Sequence, residues 1–478
     1  MPRFEGATYF DLKGGLNTES SPLNIPPTDA IDIQNVDINI NGSITRRRAI
    51  DFLGTTSSSS LYLNSPVTDY SVISAGGMLR GETPSFTDFN PVDPDGQFRK
   101  HIIMHLGDTF YFYDYLSPEV LRDIDSPKQT IASTNTDEQA LYRTKFLKDE
   151  NKLFVLNSKI NFGYFEHSST TGLFSSNFVV TDGPQYRLND FVGETSTITS
   201  VTETADDGWS AGTFSGSRLW LGGNASNENT VYYSQTIVNG DEYTKMYQEA
   251  DPFDALDNQL VDTDGGSIKL TGAERVLAIA PMNGGVIVFA NNGVWSISGQ
   301  DGFRPTSYSI NKISDIGIIG GEAWAEVESQ LVFFGRTNSY TIVAGNSIET
   351  PEIVPIGDKV STFYNNIPLY NRESGKAVYS PYNKKLYFFT NFDPSDWFVQ
   401  YNPNRQATLN RDVMVLDARL AAWSTYRLSE DTDGSKVAIG DVRILDGGKI
   451  SDINVVDNLG ADVLDHSGEN YSIVDFFP

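Results

Sequence analysis

The sequence contains no cysteine, so neither disulfides nor thiolate metal sites can hold the fold together. Stability must come from packing and strand pairing. No apolar run approaches the roughly 20 residues needed to cross a bilayer, and residues 1–14 lack the apolar core of a signal peptide. The expectation is a chain soluble as synthesised, without stable membrane insertion. Positive charge is scarce, with 35 Lys and Arg against 62 Asp and Glu and a net charge of -27. Gripping a phosphate backbone by neutralisation needs clustered cations; an acidic surface instead lets nucleic acid pass without sticking. Also missing are a P-loop, a dinucleotide G-x-G-x-x-G after a strand, and an H-E-x-x-H pair.

What the chain has is enough apolar material, 39% hydrophobic and 12% aromatic, to bury a large core. Its 478 residues could hold about three average domains, although repeated β architectures run longer as one. The clearest stretch is residues 276–299, VLAIAPMNGGVIVFANNGVWSISG, where apolar strands alternate with turns at Asn283-Gly284-Gly285 and Asn291-Asn292-Gly293. That pattern predicts a β-meander. Similar units recur at 101–113, 146–165, 218–234, 323–342 and 377–423, about 40 to 60 residues apart. Six lie between residues 100 and 427, and residues from Val437 onward can supply a seventh. Repeated meanders without helices long enough to join parallel strands point to radial blades, because each small sheet buries both faces against its neighbours. The predicted fold is all-β, a β-propeller of six or seven blades over residues 100–435. A sandwich or several small barrels is the other arrangement open to such units.

The flanks read differently. Residues 1–54 form an arm and hairpin: residues 16–27 are rich in Pro, Ser and Asn, then Val36-Asp37-Ile38-Asn39-Ile40 alternates and Asn41-Gly42 supplies a hairpin turn. Residues 55–99 have linker or long-loop composition. Short helices are expected at Ser117-Pro118-Glu119 and over 137–142. Residues 178–216 read as a loop-like insertion. The tail, 436–478, provides strands for a last blade or, with the N-terminal segment, for a platform.

Each candidate for chemistry has a plain alternative. Gly208-Trp209-Ser210-Ala211-Gly212 matches G-x-S-x-G, but a nucleophile elbow needs a strand before the serine and a helix after it. Here Asp206-Asp207 precedes and Gly and Ser follow, so a flexible loop is the reading, and Asp206, Asp207 and Trp209 become a candidate gate or docking loop. Asp262-Thr263-Asp264-Gly265 and Asp431-Thr432-Asp433-Gly434 are fragments of a calcium-loop pattern; ordinary Asp-Gly turns account for them better. His101 and His105 share a strand face about 13 Å apart, too far to share a metal. Arg46-Arg47-Arg48 is the only run of three basic residues. It is either a solvated strand end or a contact to an acidic protein neighbour. Residue type alone leaves a glycosidase carboxylate pair open, but the S-x-D-x-G-x-T-W turn of sialidase-type propellers is missing. No catalytic, cofactor or metal site is expected.

Gly14-Gly15-Leu16-Asn17-Thr18-Glu19, the Pro-containing arm to Pro27, Asn35, Gly42-Ser43 and Arg46-Arg47-Arg48 together resemble the start of tail nozzle proteins of short-tailed phages, also called tail tubular protein B or tail hub. The resemblance continues in Arg218-Leu219-Trp220, in 286–299, and in Ile316-Gly317-Ile318-Ile319 followed by Leu331-Val332-Phe333-Phe334. It covers 55–216 poorly. It implies a non-enzymatic virion protein of the tail, made in the host cytoplasm, that forms a homo-hexameric ring beneath portal and adaptor. The ring would extend and gate the DNA channel, DNA passing through its lumen without sequence-specific binding. It would also meet a tail fibre or spike and a tail tip. Arg46, Arg47 and Arg48 would then be candidates for the adaptor contact. The alternative is a virion-associated propeller that binds or hydrolyses host surface glycan.

Overall fold

The computed structural model describes residues 11–47, 85–92, 96, 101–106, 109–116, 120–123, 129–130, 144–158, 160–170, 179–180, 184–190, 195–200, 208–240, 242–254, 256–282, 284–343, 351–390 and 412–427. Among them the regular structure is nearly all strand. Five antiparallel four-stranded sheets follow one another along the chain, each strand pairing with the next. The first blade is Lys145–Asp149, Lys152–Asn157, Ile160–Glu166 and Val179–Val180. The second is Ala211–Ser215, Arg218–Gly222, Thr230–Tyr233 and Gly266–Lys269. The third is Val276–Met282, Gly285–Ala290, Gly293–Ser298 and Ser309–Ser314. The fourth is Trp324–Val327, Gln330–Phe334, Ser339–Val343 and Glu352–Pro355. The fifth is Lys376–Ser380, Lys385–Phe389, Asp412–Asp417 and Ala422–Arg427.

The blades stack face to face, and period-2 alternation explains why their second strands carry apolar residues on both faces. In Lys152–Asn157, Leu153 and Val155 pack with Phe89, Ile103 and Phe110 on one side, while Phe154 and Leu156 meet Trp209, Leu221 and Tyr232 on the other. In Gly285–Ala290, Val286, Val288 and Ala290 join Trp220 of the second blade, and Ile287 and Phe289 join Phe333 of the fourth. A strand buried on both faces cannot afford a polar face. Phe334 stacks on Phe388 at 3.8 Å and 9° between the fourth and fifth blades. The first strands of the second and third blades, and of the fourth and fifth, run beside each other towards the centre. There Lys145 of the first blade donates to the carbonyls of Leu277 (3.2 Å) and Gly321 (3.0 Å), and buried Lys376 pairs with Glu322 at 3.4 Å. Those bonds tie the first blade to the third and the fourth to the fifth. Among the described residues the arrangement is a β-propeller of five four-stranded blades with few helices.

That count corrects the expected six or seven blades. The unit predicted at His101 belongs instead to a five-stranded sheet, Ser85–Phe89, His101–Leu106, Thr109–Leu116, Val120–Asp123 and Gln129–Thr130. Two short strands share the position outside Thr109–Leu116 there. The seventh unit, from Val437, and the whole of 436–478 lie outside the described residues, as do both helices expected near 118 and 140. Two short α-helices that the sequence reading missed, Ser361–Asn366 and Leu369–Glu373, link the fourth blade to the fifth. The expected loop 178–216 also needs correction: Gln185–Asp190 and Thr195–Ser200 pair as a hairpin, and Ala211–Ser215 opens the second blade. Among the described residues no helix is long and apolar enough to cross a membrane.

Candidate assembly interface at the N-terminal arm

Residues 11–47 fold back onto the fifth blade and the helix before it. Gly15–Leu16 runs parallel to Asp29–Ala30. Gly15 has φ +73°, and a Cβ there would sit 2.7 Å from the Trp423 carbonyl oxygen; at Gly14 a Cβ would sit 1.6 Å from the Asp29 carboxylate. Only glycine allows both the left-handed turn and the close approach. Leu16 then enters the shared core of the third, fourth and fifth blades, a burial that contributes about 2 kcal/mol. The Asn17 amide donates to Asp29 at 2.8 Å, and its oxygen accepts the amides of Glu19 and Ser20.

Two carboxylates of the arm are keyed to the helix region. Glu19 accepts from the Thr362 amide (2.6 Å) and hydroxyl (3.1 Å) in the first turn of Ser361–Asn366, and the backbone N–H holds its pKa below the ordinary value. Asp29 pairs with Lys359 at 3.1 Å. Burial pushes its pKa up, but the Asn17 amide and Lys359 more than offset that and hold it low. Lys359 also donates to the Gly14 carbonyl at 3.1 Å.

Further along, the arm lies against the outer strand Ala422–Arg427. The Asn35 amide donates to the Thr425 carbonyl (2.8 Å), and the Thr425 amide donates to Ile33 (3.1 Å). Asp37 meets the buried ammonium of Lys385 and the hydroxyl of Tyr426. Burial, with the Tyr387 and Asp37 charges, pushes the Tyr426 hydroxyl far above its ordinary pKa. Ile33 and Ile38 close a small core with Ala422.

The sequence candidates separate once placed. Arg47 donates from Nε to the Asn35 side chain (2.8 Å) and from Nη2 to the Arg427 carbonyl (3.0 Å), with its guanidinium over the Tyr426 ring at 5.5 Å. It therefore fastens the hairpin to the fifth blade. Arg46 stays exposed on Ile44–Arg46, a strand exposed along its whole length. Arg48 lies outside the described residues, as do Asp206 and Asp207. Trp209 is 1% exposed and packs edge-on against Tyr232 at 5.2 Å. Its indole is a core group between the first and second blades, so it cannot gate or dock.

The other motifs also resolve into structure. Ser210 donates to the Gly223 carbonyl at 3.0 Å, and a strand, not a helix, follows it. The turn at Asp262–Gly265 is organised by a guanidinium: buried Arg218 donates to the carbonyls of Ser234, Asp262 and Asp264. The Asp264 carboxylate accepts the amides of Glu249 (3.0 Å) and Val261 (2.8 Å). His105 Nδ1 lies 2.8 Å from the Thr144 hydroxyl, and the His101 ring is 5.4 Å from that of His167. Among the described residues no three His, Asp or Glu converge as a metal site. Sequence reasoning missed the roles of Lys359, Lys385 and Arg218; the partners of each lie far away in sequence, so no local pattern marks them.

No protein-family model and no curated protein matches the chain. Among solved structures it is similar to the WD40 domain of Neurospora crassa Pan2, at 7% identity over 72% of this chain and 79% of that one, with a TM-score of 0.37. It is also similar to a chain of the mitotic checkpoint complex, at 11% identity over 72% of this chain and 83% of that one, with a TM-score of 0.30.

Proposed function

We propose that this chain is a structural subunit of a short-tailed phage particle, a tail nozzle protein. It forms a hexameric ring below the portal and its adaptor, and it extends and gates the DNA ejection channel. The observation that carries the reading is what the nozzle-like N-terminal residues do. Gly14, Gly15, Leu16, Asn17 and Glu19 each hold a specific place in the clamp between arm and fifth blade. The segment that resembles the family is thus the segment that fixes the arm and leaves Arg46 facing outward.

Charge supports the same reading. Six copies carry 6 × (-27) = -162, and an acidic lumen repels phosphate so that DNA slides. In this reading the arm lies on the platform side, and Arg46 contacts an acidic face of the adaptor.

Native mass spectrometry of the full chain, alone and mixed with candidate portal and adaptor proteins, tests it. A hexamer, or six copies assembling on the portal complex, is expected. A persistent monomer or trimer that ignores that complex would overturn it and direct work to glycan binding.

A further inference from the structure

In the third blade, residues 299–308 connect the last two strands; in the second blade the same connection takes residues 234–265. This long excursion is held firmly at its base. Arg218, 3% exposed, grips three of its carbonyls, and buried Asp264 accepts two of its amides. The hairpin Gln185–Asp190/Thr195–Ser200 clasps it from outside: the Gln185 amide donates to Thr244 (2.7 Å), the Met246 amide donates to Gln185 (3.0 Å), and Arg187 donates to Gln248 (2.6 Å). Ser196 donates to Asp251 at 2.7 Å. Nearer the tip, Gln248 donates to the Asn258 carbonyl and the Leu256 amide to Asp254, both at 2.8 Å.

A loop ordered so thoroughly would be expected to bury its apolar side chains. Instead Leu256 is 96% exposed, Val261 47%, Phe253 44% and Leu260 40%. Between Lys245 and Lys269 the chain has six carboxylates and no basic residue. Asp251 is near Arg187 (3.8 Å) and Asp262 near Arg304 (3.7 Å), while Asp254 and Asp257 are exposed beside Leu256.

We propose that this clamped loop is a docking knob for a different protein chain, one presenting an apolar recess bordered by Lys and Arg. Preorganisation is what makes a small apolar contact strong, because the ordering cost is met before the partner arrives. The charge selects the partner class. Phosphate and anionic headgroups are repelled by Asp254 and Asp257, and a second copy would bring two acidic loops and two chains of net charge -27 together. The inference does not rest on the tail reading.

The test places a benzophenone amino acid at position 256 of the full chain, and a control at position 301 on the third blade. The cells that make the protein are irradiated, and cross-linked peptides are sequenced. The expected adduct at 256 is a peptide of another protein with Lys or Arg flanking apolar residues. Its yield should fall about tenfold, equivalent to about 1.4 kcal/mol, in the Asp257→Lys, Gln259→Lys variant, which leaves the Asp254 bond to the Leu256 amide in place. That variant changes only exposed side chains, and an unchanged melting temperature checks its fold. An adduct to nucleic acid, lipid or a second copy overturns the proposal. So does the absence of an adduct, or a yield at 256 that matches position 301 or ignores the charge reversal.

Discussion

Arg218 performs a task that a bound cation performs in many acidic turns: it draws carbonyls from distant parts of the chain onto one positive centre. The Asp264 and Asp262 carbonyls it meets lie 46 and 44 residues away in sequence. Burial lowers its pKa, with Tyr233, Asp264 and Asp262 opposing that fall, yet a guanidinium stays charged throughout the accessible range. Beside it, burial pushes the Tyr233 hydroxyl up to about 12. Arg218→Met keeps the bulk and removes the donors, leaving the three carbonyls without the guanidinium. The expected loss is about 3 kcal/mol, read as a lower midpoint in urea unfolding with little change in slope. Lysine should rescue only part of it, since one ammonium cannot reproduce a planar fork. None of this was legible beforehand. The sequence marks Arg218-Leu219-Trp220 as strand, and only the fold brings Asp262 and Asp264 to it. The triple-arginine run was conspicuous for the opposite reason, being local, and locality says nothing about which arginine turns inward.

At the scale of elements, legibility followed burial. The meander predicted over 276–299 matches Val276–Met282, Gly285–Ala290 and Gly293–Ser298, since strands apolar on both faces announce themselves. The hairpin at Asn41-Gly42 was equally plain. Fourth strands were not: Ser309–Ser314 and Gly266–Lys269 set isolated apolar residues among polar ones and are only partly buried, so no apolar run marks them. The helix Ser361–Asn366 is too short for a 3.6-residue period to register. Its contact with the arm has a pH consequence. Glu19 and Asp29 are held below their ordinary values of 4.5 and 3.8 when the arm is docked. Depressed carboxylate values stabilise the docked form above the ordinary value, and the contribution fades as pH falls through the docked one. Melting temperature should therefore drop as pH goes from about 4.5 downward, and Glu19→Gln should flatten that dependence. A Glu19→Gln profile superimposable on the original would count against the latch.

For the whole molecule, the propeller class was readable from repetition, whereas the number of blades was not. Excursions such as 234–265 and the hairpin before the second blade stretch the repeat, and the five-stranded sheet imitates one more unit. Net charge was read directly, and it bears on solubility and association more than on fold. The arm's position against Ala422–Arg427 also imposes a timetable on synthesis. Asn35 finds its partner Thr425, and the Arg427 amide finds the Asn35 side chain, across 390 and 392 positions of sequence. At about 5 to 20 residues per second, the arm waits roughly 20 to 80 seconds after leaving the ribosome for that partner strand to be made. During that interval Arg47 has no Arg427 carbonyl to meet, and Lys385, once made, precedes the strand that holds Tyr426. A ribosome-bound chain stopped at residue 411 should be cut by trypsin at Arg46 and Arg47, while the released full chain resists cleavage after Arg47. A segment made well before its partner strand is among the last to become native.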